Sequence, residues 1–369
     1  MDFAFAEEQD AVRDLAAQIF EGHVTPERVK EIEHSEERVD RELWRALADA
    51  GLLAIAVPEE HGGSGLGLIE LCLLLEQQGR RVAPVPLWPT LVLGALPVAE
   101  LGSPEQRRAW LPGVVSGDVV LTAALSEPGV NEPLHPQTIA TRDGDGWRLD
   151  GSKPSVPAAH VADRVLVPAS TGDGGLGVFL VDPTGPGVER TVAATTDRSK
   201  VAHLELSGAP GEQLGDDGRR ATAWLLDRAL VGLCAMQVGV AEGALRMAAD
   251  YTSERQQFGQ PLSTFQGVAL KAADAYVDTE AMRVTLWQAA WRLTAGLDAS
   301  QEVMVAKWWA AEGGQHVVHI TQHLHGGMGA DVDYPVHRYF LWGKQIEDTL
   351  GGASAQLARL GRALAEVPA

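Results

Sequence analysis

The residues with the most chemical potential fall in one run, Arg255-Gln256-Gln257-Phe258-Gly259-Gln260-Pro261-Leu262-Ser263-Thr264-Phe265-Gln266. An arginine fork can pair with a pyrophosphate through two hydrogen bonds, and a phenylalanine offers a stacking face. Gly259 and Pro261 break one helical pattern, over about 222–252, and open another over about 263–293. Ser263 is the expected N-cap of the second helix. An arginine beside a helix N-terminus suits an anionic ligand. On its own the run also reads as an ordinary helix–loop–helix corner with an exposed arginine, so the elements that must hold it carry the next part of the reading.

The chain has 369 residues, 30 Lys and Arg against 50 Asp and Glu, and a formal charge of −20. That balance argues against nucleic acid and against an anionic membrane surface, both of which need a basic face. Cys72 and Cys234 lie inside apolar helical patterns and are expected as buried thiols, with no Cys/His spacing of a metal site. The opening MDFAFAEEQD is not a signal peptide, and no uninterrupted apolar run reaches the length of a membrane span, so a soluble cytoplasmic protein is expected.

Residues 1–118 read as helical. Ala11, Val12, Leu15, Ala16, Ile19 and Phe20 recur at helical spacing, and Thr25-Pro26-Glu27 is a cap followed by a first-turn proline. Leu43, Trp44, Leu47, Ala50 and Leu53 form a further stripe, 68–78 is an almost wholly apolar helix, and Ser103 caps another. The Pro- and Leu-rich stretch over 84–101 fits no simple period. From 119 to 212 short apolar runs cut by Gly, Pro and Asp predict strands, with Asp143-Gly144-Asp145-Gly146 as a hairpin turn. From 213 to 369 the pattern is helical again, with Trp287, Trp291, Trp308 and Trp309 expected as bundle fillers. The fold class is α+β.

This order of elements, with PEEHGGSGLGL, DGDGWRLDGSK, RQQFGQPLSTFQ and HLHGGMGADVDYPVHRYF in sequence, resembles the acyl-CoA dehydrogenase family over essentially the whole chain. The resemblance implies an N-terminal helical domain (1–118), a middle antiparallel β-barrel domain (119–212) and a C-terminal four-helix bundle (213–369) that forms the oligomer core. It also implies FAD, 2,3-dehydrogenation of an acyl-CoA thioester by a carboxylate base, and electron delivery to an electron-transfer flavoprotein. In that family each FAD spans two subunits. One subunit supplies the flavin pocket and base, and its neighbour supplies the loop and glycine turn that hold the ADP end. Here the ADP half matches: Arg255 for the pyrophosphate, Phe258 on the adenosine side, Gly259 and Gln266 in the loop, and Gly326 and Gly327 in the turn, with His323 where the family usually has Gln.

The flavin half departs from the family. Ser126-Glu127-Pro128-Gly129-Val130-Asn131-Glu132-Pro133 lacks the usual Gly-Ser-Asp, and Val156-Pro157 replaces a hydroxyl-bearing pair that touches the flavin. Proline there has no N–H to offer. Counting on from Tyr334-Pro335-Val336, the family's Glu-Gly-Thr base position holds Leu350-Gly351-Gly352. The alternative base position of some members falls at about Ala229, with Asp227 rotated roughly 200° away along the helix. Glu347 is the other nearby acid, and for both acids a solvated or capping role is the simpler expectation. The resemblance is strongest to actinobacterial steroid side-chain acyl-CoA dehydrogenases built as α2β2 heterotetramers of an active and an incomplete subunit. It implies a non-catalytic chain that lends its ADP half-site to a paralogous catalytic subunit, which binds most of the acyl-CoA. Two alternatives stay open: a self-sufficient homo-oligomer using Asp227 or Glu347, and a flavin-free scaffold subunit.

Overall fold

The computed structural model describes residues 4–129, 132–172 and 174–365. The chain opens with α1 (Glu7–His23), α2 (Pro26–His34), α3 (Arg41–Asp49) and α4 (Leu68–Arg81). A π-helical segment, Trp88–Ala95, then runs into α5 (Leu96–Leu101) and α6 (Pro104–Val115). This is the stretch whose period defied assignment, because a π-turn adds a residue to each turn and displaces the apolar repeat. Seven strands follow: β1 (Leu121–Ala123), β2 (Ile139–Asp143), β3 (Gly146–Pro157), β4 (Arg164–Ser170), β5 (Leu176–Val181), β6 (Val188–Ala194) and β7 (Lys200–Gln213). The 37-residue α7 (Gly218–Glu254) leads to a two-residue-stranded hairpin, β8 (Gln256–Gln257) and β9 (Gln260–Pro261). The chain ends with α8 (Gln266–Thr294), α9 (Ser300–Leu324), α10 (Val336–Asp348) and α11 (Ala353–Ala365). The architecture is α+β, helical at both ends with a β-rich middle.

The elements fall into two compact units, one of residues 30–71 and 84–229, the other of 1–29, 72–83 and 230–369. In the first, β4, β2, β3, β7 and β5 pair in a closed ring, β5 returning to β4, with β6 on β7 and β1 on β4. Pairing is antiparallel except where β4 meets β1 and β2. The expected hairpin is present, with Asp143 opposite Gly146. Leu149, Val165, Val167, Phe179, Ala202 and Leu204 fill the barrel. The π-helical segment lies close on β1: a Cβ at Gly94 would sit 2.2 Å from that of Leu121.

In the second unit α8, α10 and α11 pack on α9. Glycines set the close crossings. A Cβ at Gly239 of α7 would lie 2.0 Å from the Glu76 carbonyl oxygen of α4. One at Gly314 of α9 would lie 2.0 Å from the Gln237 amide of α7. Arg283 of α8 pairs with Glu76 at 2.5 Å and Glu242 at 2.9 Å, tying three helices together. Both cysteines are buried thiols outside any disulfide. By length and composition α7 is long and apolar enough to cross a membrane, although polar residues interrupt it; 72% of that window is buried in protein, as in a core helix. Trp287 packs edge-on against Phe5 at 4.9 Å and Trp308 against Trp309 at 5.0 Å, whereas Trp291 is exposed and not a filler.

Candidate functional site

Arg255 directly follows α7, its N–H donating to the Tyr251 carbonyl at 2.8 Å. The chain then makes a tight hairpin, Gln257 opposite Gln260, with Phe258 and Gly259 at the tip. Both tip residues have positive φ, 54° and 80°, the pairing that a type I′ turn requires. Gly259 suits that conformation, while a bulky aromatic adopts it only at a cost. Phe258 is nevertheless 93% exposed, touching Phe265 edge-on at 6.2 Å. Leu262 N–H closes the loop on the Arg255 carbonyl at 2.9 Å. Ser263 is not the cap expected of it. Residues Leu262–Thr264 form a 3-10 turn and α8 starts at Gln266 after Phe265, with no side-chain cap. Val268 and Ala269 N–H donate to the Phe265 carbonyl at 3.0 and 3.1 Å, and no side chain caps the helix start, an arrangement that suits an anionic ligand. Arg255 and Gln266 are both exposed.

The glycine turn follows α9. His323 is exposed on its last turn, and His325 is buried with Nδ1–H donating to the Thr321 carbonyl at 2.7 Å. Burial pushes the His325 imidazole below its ordinary value. Gly326 needs its φ of 57°. Gly327 has no positive φ, and among the described residues no atom lies within 4 Å of an added Cβ, so their packing does not call for glycine there. The Gln322 amide donates to the Gly329 carbonyl at 3.0 Å and braces the turn. Sequence reasoning passed over Gln322 and named only its neighbour His323. Arg255, Phe258, Gly259, Gln266, His323, Gly326 and Gly327 are thus all exposed residues of one unit.

Leu350 and Gly351 form a tight turn between α10 and α11, with φ of 60° and 98°. Gln356 donates to the carbonyls of Leu350 at 3.3 Å and Gly351 at 3.0 Å, and Arg359 to that of Leu350 at 3.2 Å. Lys307, fully buried on α9, donates to the Ile346 and Glu347 carbonyls at 3.0 and 2.9 Å, binding the C-terminal end of α10 where a cation is favoured. Burial lowers its ammonium pKa to about 8 and raises that of the neighbouring Cys234 thiol to about 12. The turn is well anchored, yet its tip bears an aliphatic side chain that can accept no proton. Glu347 is committed elsewhere, its carboxylate 2.5 Å from Lys344. Ala229 is fully buried, and its carbonyl accepts from Trp88 Nε1 at 3.0 Å. Asp227 lies two residues before it on α7, beside Arg228, whose guanidinium stacks on Trp224 at 3.9 Å.

In the β-barrel unit, Val156 is buried in the barrel core next to an irregularity in the β3–β7 register. The Pro157 carbonyl accepts from Thr122 Oγ1 at 2.8 Å. Glu127 is part of a closed ion-pair hub. It accepts from Lys153 Nζ at 2.5 Å, Thr138 Oγ1 at 2.6 Å, Thr138 N–H at 3.1 Å and the Gln137 N–H. Burial works against the Glu127 charge, but Lys153 and these donors outweigh it and hold its pKa below the usual carboxylate range. Val130 and Asn131, at the expected Gly-Ser-Asp site, lie outside the described residues.

With this geometry in place, comparison with known proteins defines the class. Residues 6–118 match the acyl-CoA dehydrogenase N-terminal domain and residues 216–364 the acyl-CoA dehydrogenase C-terminal domain. The chain belongs to the acyl-CoA dehydrogenase family of FAD-binding oxidoreductases. It is 43% identical to acyl-CoA dehydrogenase FadE27 of Mycobacterium tuberculosis over 380 aligned positions, covering 100% of each. Among solved structures it is similar to a variant of the Tcur3481–Tcur3483 steroid ACAD, at 54% identity and a TM-score of 0.94 over 98% of each chain. It is also similar to a chain of the ChsE4–ChsE5 complex of Mycobacterium tuberculosis, at 44% identity and a TM-score of 0.95 over 100% of each.

Proposed function

We propose that this chain is the incomplete subunit of a heteromeric FAD-dependent acyl-CoA dehydrogenase. In this reading it lends the ADP half of the cofactor site to a catalytic paralogue in an α2β2 assembly. The observation that carries the reading is the Leu350 turn: its left-handed backbone and its anchors Lys307, Gln356 and Arg359 are in place, but the acid is not. An anchored turn with an aliphatic tip cannot take the α-proton of an acyl thioester. Val156, buried in the barrel, and Pro157, without an N–H, leave the flavin side short of donors as well.

The clamp residues fit the ADP end of FAD. Arg255 would pair with the pyrophosphate, Phe258 would lie against the adenosine, and the α8 N-terminus would face the anion. Gly259, Gly326 and Gly327 would admit close backbone approach, which suits the open space beside Gly327 among the described residues. His323 and Gln266 would complete the polar rim. Bound FAD supplies the hydride acceptor, and the base would be the partner's. An exposed stripe on α8 (Leu270, Val277, Val284 and Trp291, one every seven residues) begins just after the clamp loop and supports a protein partner along that face.

The substrate in this reading is a bulky acyl-CoA of the steroid side-chain class, as in cholesterol catabolism, held mainly by the partner. Electrons would leave to an electron-transfer flavoprotein, in the cytoplasm. Domains divide at about 118 and 212, the last carrying oligomer and ADP contacts. The test is to purify the chain alone and co-expressed with acyl-CoA dehydrogenase paralogues from neighbouring genes. The chain alone should be colourless and inactive, and the right pair yellow and active. Turnover by the isolated chain would instead support the self-sufficient reading with Asp227 or Glu347.

A further inference from the structure

We infer that His325 is a positioning residue that locks the Arg255 loop and the Gly326–Gly327 turn at a fixed spacing. Three rings from three segments meet there. The His325 imidazole stacks on Tyr251 with centroids 4.7 Å apart and planes 28° apart. It leans on Tyr334 at 5.3 Å, and Tyr251 and Tyr334 meet edge-on at 6.2 Å. Tyr251 lies on the last turn of α7, His325 caps α9, and Tyr334 sits in the bend that leads into α10.

Each ring is one short step from a clamp element. The Tyr251 carbonyl accepts the Arg255 N–H at 2.8 Å, so the stack stands one helical turn behind the arginine. His325 is joined directly to Gly326, whose φ of 57° starts the glycine turn. Tyr334 N–H donates to the Asp331 carbonyl at 3.2 Å, closing the far end of that turn, and the Tyr334 carbonyl meets His337 Nδ1 at 2.7 Å. The clamp halves, Arg255 and Gly326-Gly327, are 71 positions apart in sequence (326 minus 255). The ring cluster joins the segments that carry them.

Histidine does here what a plain aromatic would do and more. Its face supplies the stack, and Nδ1–H, bonded to Thr321 at 2.7 Å, fixes the ring's rotation against the end of α9. An aromatic pair contributes beyond simple burial because ring geometry is specific, and two ligand-contacting segments held at the wrong spacing lose much of a bidentate grip.

The inference rests on reading the loop and turn as a nucleotide clamp, and the experiment separates the two. Replace His325 by Ala, Leu and Phe, and Arg255 by Ala, in the co-expressed complex. Measure FAD dissociation by fluorescence, and in the chain alone measure amide exchange at Arg255 and Leu262. Ala and Leu should weaken FAD about three- to tenfold and speed exchange at both amides, with Phe within about twofold of the parent. Leu keeps the site filled if Ala does not fold. Parent-like FAD affinity in the Ala and Leu variants, or a Phe variant as weak as Leu, overturns the positioning role while Arg255→Ala still weakens binding. If Arg255→Ala leaves affinity unchanged, the clamp reading and this inference fall together.

Discussion

Lys307 offers the sharpest quantitative prediction, because a fully buried ammonium must show itself in the pH dependence of stability. Its pKa falls from 10.5 to about 8, chiefly through burial. The sign follows directly. Between about pH 8 and 10.5 the unfolded chain holds this proton and the folded chain does not, so stability rises with pH across that window. At 1.36 kcal/mol per pH unit, the interval from 10.5 to about 8 amounts to about 3 kcal/mol. Cys234 works in the opposite direction. Burial lifts its thiol from 9.0 to about 12, so the unfolded chain loses that proton first and stability falls above pH 9. The wild-type curve should therefore climb from about pH 8 to 9 and then flatten. Lys307→Met keeps the stem and removes the charge, leaving the Cys234 contribution in both proteins. Urea unfolding of the purified proteins should show wild type gaining about 3 kcal/mol over the variant between pH 7 and 10.5. A difference that stays constant with pH would refute the assignment of Lys307 as a buried cation beneath the Leu350 turn.

Other outcomes follow from the same structure. Arg255→Ala in the complex should weaken FAD roughly 10- to 100-fold by removing a charge-assisted contact, read by equilibrium dialysis. The same affinity after replacing both Arg255 and Gln266 would favour the flavin-free scaffold reading. Lys153→Met, which strands the Glu127 carboxylate in the barrel, should cost about 3–5 kcal/mol in urea unfolding. Leu350→Glu should not give the isolated chain turnover or flavin bleaching by acyl-CoA, because the departures at Val156 and Pro157 remain.

The backbone features of the candidate site were legible in residue types, its proposed role came only through the family resemblance, and what was missed has physical causes. The Arg-Phe-Gly run and the glycine pair mark their own backbone, since turns depend on local residue types. The strain at Phe258 and the 3-10 turn that displaced Ser263 from the helix start depend on hairpin closure, which residue type alone does not encode. The stretch from 84 to 101 gave no period because its first half winds as a π-helix. Lys307 looks like a surface lysine on α9. It is buried because the α10 carbonyls, about 40 residues on, take its donors. Ala229 was placed only by counting back from Arg255, and only the fold brings Trp88, 141 residues earlier, against its carbonyl. Leu350 was found by counting along a motif, while the anchors that keep its turn intact came from the coordinates.

The most direct test of the account is native mass spectrometry of the co-purified complex under conditions that retain FAD. The account predicts one FAD for each mixed pair of subunits, lost when Arg255 of this chain is replaced. One FAD for every chain, or full flavin occupancy in an assembly of this chain alone, would contradict it.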